Sequence, residues 1–93
     1  MALQARLTVT GRVQGVGYRE WAIATGLRLG LTGLVRNRQD GAVEALIVGD
    51  ESAVGQMIEA CRRGPHLARV DEIDVDPVDL DILPEGFTRL PTA

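Results

Sequence analysis

The chain has 93 residues, enough for one domain with a modest core and too few for a multidomain machine, so residues 1–93 are read as a single domain. Ten arginines against thirteen acids give a formal charge of −3, which disfavours generic nucleic-acid binding but permits a small anion at one local site. Six arginines and three acids fall in residues 1–46, four arginines and ten acids in residues 47–93, so an anion site belongs in the first half.

Inventory removes further chemistries. The chain has no lysine and therefore no ordinary P-loop, whose lysine must reach the phosphates. Cys61 is the single cysteine, which excludes an intrachain disulfide and a multi-thiolate metal site and fits a reducing compartment. His66 is the single histidine and reads as a loop side chain, which removes paired-histidine metal motifs. Ser52, the one serine, has no G-x-S-x-G turn around it. No apolar run is long enough to span a membrane and no signal-peptide core is visible. The expectation is a cytoplasmic protein with no membrane contact.

Ala5 to Arg12 alternates, Leu7 and Val9 against Arg6, Thr8 and Thr10, which predicts a half-buried strand. The glycine-rich run Gly11 to Gly17 then reads as a tight loop. Trp21, Ala22, Thr25, Gly26 and Leu29 recur at helical spacing, predicting a helix over Arg19 to Leu29 with Gly30 as its C-terminal cap. Leu31 to Arg38 and Ala42 to Val48 form a second and third strand about the hairpin signal Asp40-Gly41. Asp50 caps a second helix whose stripe is Val54, Met57, Ile58 and Cys61, and Arg62, Arg63 and Gly64-Pro65 end it. Cys61 is therefore a core residue and not a nucleophile. Ala68 to Val75 is a fourth strand with Val70, Ile73 and Val75 as core candidates, and a tail strand falls near Phe87 to Leu90. The order βαββαβ is that of an α+β, ferredoxin-like sandwich, an antiparallel sheet with two helices on one face.

Two stretches could carry chemistry. Gly15 and Gly17 let backbone amides turn inward just before a helix N-terminus, which already favours an anion, and Arg19 adds a guanidinium fork suited to phosphate oxygens. The competing reading is a plain tight connection, with Arg19 in solvent or paired to Glu20. Asn37 near the second strand's end could hold a water by donating and accepting at once, or could be ordinary turn chemistry. The acids Asp71, Glu72, Asp74, Asp76, Asp79 and Asp81 alternate with apolar residues and lack the glycine and terminal glutamate of a calcium loop, so they read as a solvated strand face.

The run Val9-Thr-Gly-Arg-Val-Gln-Gly-Val-Gly-Tyr-Arg19 resembles the first signature of the acylphosphatase family, G-x-V-Q-G-V-x-F-R. Gly33-Leu-Val-Arg-Asn37-Arg-Gln-Asp-Gly41-Ala-Val43, followed by Gly49, resembles the second, and the likeness runs from about Leu7 to Val75 with a similar tail at Gly86 to Arg89. The resemblance implies hydrolysis of acyl phosphates to a carboxylate and inorganic phosphate by water, without metal or other cofactor. Arg19 and Asn37 would be catalytic, and the backbone of Gly15, Val16, Gly17 and Tyr18 would bind phosphate. It implies a small-molecule acyl phosphate as partner; the small size and the lack of a long exposed apolar run make a monomer the expectation. Tyr18 stands where the family has Phe, and Leu34 where an aromatic is usual; Leu34 is expected to serve packing or pocket lining. The alternative is a non-catalytic acyl- or carbamoyl-phosphate-binding accessory domain. A ferredoxin-like RNA-binding domain would need sheet aromatics and a basic face, and Tyr18, Trp21 and Phe87 are the only aromatics.

Overall fold

A computed structural model describes residues 2–93, which fold in the order β1 (Ala2–Arg12), α1 (Tyr18–Arg28), β2 (Thr32–Asn37), β3 (Val43–Asp50), α2 (Glu51–Arg63), β4 (Arg69–Pro77) and β5 (Phe87–Arg89). The sheet order is β4-β1-β3-β2-β5. The first four strands pair antiparallel as expected, while β5 joins the free edge of β2 in parallel, so the full sheet is mixed.

Alternation decides which face is covered. Leu7 and Val9 of β1, Val35 of β2, and Val43, Ala45 and Ile47 of β3 are buried on one side, where Val54, Met57 and Cys61 of α2 and Tyr18 and Ala22 of α1 complete the core. Both helices therefore cover one face of the sheet, giving the ferredoxin-like sandwich. The opposite face carries Arg6, Thr8, Arg36 and Glu44.

Helix α1 ends at Arg28 with Leu29 as its C-cap, and Gly30, the expected cap, follows one residue later at φ +77°. The Leu31 and Gly30 amides donate back to the carbonyls of Gly26 and Leu27, which closes the helix with a left-handed glycine. Asp50 caps α2 by accepting from the Ser52 amide at 3.1 Å. The β2–β3 turn closes through the Ala42 amide on Asp40 Oδ1 at 3.0 Å, with Gly41 at φ +95°.

Strand β4 departs from simple alternation. Its pairing with β1 shifts between Thr10 and Gly11, leaving Asp71 as an extra residue, and the bulge brings Val70 and Ile73, three apart, onto the helix-covered side. Gly11 sits opposite at φ +123°, and any Cβ there would collide with the Arg69 carbonyl. The expectation that Val75 belongs to the core is corrected: it is 42% exposed, because β4 is the outermost strand and nothing lies beyond it to close that side. The acids of this strand are exposed, a charged edge of the kind that resists pairing with another sheet.

Candidate active site

Strand β1 and strand β2 run in the same direction on either side of β3, so both end at the same edge of the sandwich. The loop leaving β1 crosses the start of β3 to reach the end of β2, and Gln14 fastens it there. The Gln14 side-chain amide donates to the Arg38 carbonyl at 2.7 Å and to the Ala42 carbonyl at 2.9 Å. Val13 is buried beside it and anchors the loop to the core.

Gly15 and Gly17 both adopt positive φ, +74° and +81°, a conformation in which any other residue would be strained. Gly17 is the N-cap of α1 and offers no side chain to the helix, so the first amides of α1 are left for another acceptor. A cavity of about 100 Å³ opens at this point, lined by Val13, Gly15, Gly17, Tyr18, Arg19, Glu20, Asn37 and Arg89. Val16 lies between the two glycines with its side chain packed against the core, and is not among the lining residues.

The competing partner for Arg19 is already engaged. Glu20 Oε1 accepts from Arg89 Nη1 at 2.7 Å. Among the described residues Arg19 forms no ion pair, and no hydrogen bond uses its guanidinium or the Asn37 side-chain amide. Asn37 shares a strand face with Gly33 and Val35, which directs it to the helix-covered side and into the cavity, while Arg36 points to the other face and pairs with Glu44 at 2.8 Å. The site therefore gathers an unpaired cation, unused helix amides and one neutral amide within a small concavity. It can hold a tetrahedral oxyanion and orient one small molecule beside it.

A model of the acylphosphatase family matches residues 5–88. The chain belongs to the acylphosphatase family. It is 48% identical over 92 residues to an acylphosphatase of Nitrobacter winogradskyi, covering 94% of this chain and 93% of that protein. An acylphosphatase of Rhodospirillum rubrum is 52% identical over 84 residues, covering 90% of this chain and 91% of its own length. The crystal structure of acylphosphatase from Bacillus subtilis superimposes with a TM-score of 0.89 at 36% identity, covering 97% of this chain and 99% of that one.

The two departures from the acylphosphatase pattern now have locations. The Tyr18 hydroxyl donates to the Cys61 carbonyl at 2.7 Å, so the extra oxygen ties the start of α1 to the end of α2. Burial, then the Cys61 thiol beside it, push the Tyr18 phenol well above its ordinary range. Burial likewise pushes the Cys61 thiol up to about 11, with the Tyr18 hydroxyl opposing in part. The Cys61 side chain is 1% exposed, a core residue as expected. Leu34 does not line the cavity. It lies half-buried on the uncovered sheet face, opposite Leu46 and Thr88 in register, so the pocket-lining half of its expected role is set aside.

Two larger depressions, of about 520 and 510 Å³, lie between α1 and α2 and on the uncovered sheet face. Neither holds a loop glycine at positive φ, so size does not mark the site here. Val13, Glu20 and Arg89 are the lining residues beyond those that motif reading named.

Proposed function

We propose that this chain hydrolyses the carboxyl–phosphate bond of acyl phosphates through Arg19 and the amides of Gly15 to Arg19, with Asn37 orienting the attacking water. The observation that carries this reading is the free Arg19 guanidinium sharing one cavity with the unused Asn37 amide while Glu20 is committed to Arg89. The phosphoryl oxygens sit in the amide and guanidinium cradle, which stabilises their charge as the bond to carboxylate breaks. The leaving carboxylate has a pKa of about 4 and departs without a general acid. The Asn37 carboxamide accepts from the water and holds it in line, and the water's proton passes to the phosphate itself. Cradle and water supply the reaction without a metal or cofactor.

Replacing Arg19 with Ala should lower kcat by roughly a thousandfold or more and abolish inhibition by inorganic phosphate. Asn37→Ala should lower kcat by about a hundredfold while phosphate inhibition persists, since only orientation is lost. Benzoyl phosphate hydrolysis in excess chelator measures both. An Asn37→Ala variant turning over at the parent rate would remove the water-orienting role. Phosphate binding without turnover in the parent would favour an accessory binding domain, a reading that family relatives matched over nearly their whole length do not support.

The chain acts on its small-molecule substrate as a cytoplasmic monomer and takes no nucleic acid. Its three aromatics lie on α1 or on the covered side of β5, so the uncovered sheet face has no ring on which a base could stack.

A further inference from the structure

Glu20 poses a problem for the site as proposed. Its carboxylate lies in the first turn of α1, where it is favourable to the helix, and it lines the cavity meant for a phosphoryl group, where it is unfavourable to the ligand. Unopposed, it would repel an incoming dianion and would offer Arg19 a partner within the protein. Arg89 removes both difficulties. Strand β5 pairs in parallel with β2, Arg89 opposite Val35, which sets its side chain on the same face as Asn37 and within 2.7 Å of Glu20. As an exposed pair, with the two side chains 50% and 67% accessible, it adds little to stability.

We propose that Arg89 is a positioning residue for substrate binding: it neutralises Glu20 and holds it at the cavity rim, which leaves Arg19 free for the phosphoryl group. The inference rests on the hydrolytic reading above for the identity of the anion, but not for its test. Arg89 acts through Glu20, and this separates it from a residue that grips the substrate directly.

The experiment is a double-mutant cycle on Arg89→Ala and Glu20→Gln, read by benzoyl phosphate kinetics and by calorimetric titration with inorganic phosphate. Arg89→Ala should raise KM and the phosphate dissociation constant together by roughly threefold or more at low ionic strength, with a smaller change in kcat, and the effect should shrink as salt is added. Glu20→Gln should bind phosphate as tightly as the parent or more tightly. The double variant should return to the Glu20→Gln values, because Arg89 has nothing left to neutralise. Arg89→Lys, which keeps the charge, should stay close to the parent. If the double variant binds phosphate as weakly as Arg89→Ala alone, Arg89 contacts the anion itself and the proposal falls. An Arg89→Ala variant with parental KM and phosphate affinity also overturns it. A parent that binds phosphate but does not hydrolyse benzoyl phosphate would refute the hydrolytic reading, while the calorimetric cycle would still decide the role of Arg89.

Discussion

With both side-chain amide hydrogens on carbonyls of the β2–β3 hairpin, Gln14 couples the phosphate loop to the strand end that carries Asn37. Its removal takes two hydrogen bonds from the hairpin, whose Arg38 and Ala42 carbonyls keep the Gly41 and Arg38 amides as donors, and frees the loop to drift from Asn37. Gln14→Ala should therefore cost about 1–3 kcal/mol of stability and raise both KM and the phosphate inhibition constant, with kcat falling as the water and phosphoryl group lose alignment. Urea unfolding and steady-state kinetics check the two halves, and parental kinetics in a destabilised variant would confine Gln14 to a structural role. At this scale the glycines and Arg19 were legible because their conformational freedom and charge are properties of the residue itself. Gln14 and Arg89 were not, because their meaning lies in partners 24, 28 and 69 residues away, which no local pattern reveals.

Strand β5 docks through one aromatic ring. Phe87 of β5 is buried between α1 and β2, and a Cβ at Gly26 would collide with its ring, while one at Gly33 would collide with the Leu46 carbonyl and press on the same ring. Two glycines thus make the slot that seats β5 and brings Arg89 to the cavity. Gly26→Ala sets two effects against each other: helix propensity favours Ala by about 1 kcal/mol, and overpacking the core costs about 1–3 kcal/mol. Because the obstacle is the Cδ2–Cε2 edge of a buried ring, which has little room to give, the overpacking should win. The variant should lower the urea midpoint, and Gly26→Ala combined with Phe87→Leu should lose less than the two single changes added together. A more stable Gly26→Ala would mean that β5 shifts freely. Strands and helices were legible from periodicity, with ends placed to within three residues, and so were the Asp50 cap and the Asp40-Gly41 turn. The parallel pairing of β5 and the bulge at Asp71 were not, since three residues carry no register and a bulge breaks the alternation by which strands are read.

Taken as one molecule, the chain divides its charge by place: an arginine beside loop amides at one end of the sandwich, acids along the solvated edge strand β4. The net charge of −3 therefore does not oppose an anionic ligand, because the potential at the cradle is set locally. The two helices are joined at the same end by the bond from Tyr18 to the Cys61 carbonyl, and this makes global stability sensitive to alkali. The Cys61 thiol is pushed up from its ordinary 9.0 to about 11 by burial, and the Tyr18 phenol also lies above its ordinary value. Between the unfolded and folded values of each group the unfolded chain has lost a proton that the native chain keeps, so stability falls as pH rises. The contribution is full below about pH 9 and is lost progressively as pH climbs through 11, with Tyr18 extending the loss above 10. The urea midpoint of the parent should accordingly be flat in this respect at neutral pH and drop from pH 9 to 11. Cys61→Ala should start lower, through the cavity it leaves, and show a shallower drop over that window. An equal slope in both proteins would mean that the thiol ionises in the native state without cost and that helix α2 opens to let it.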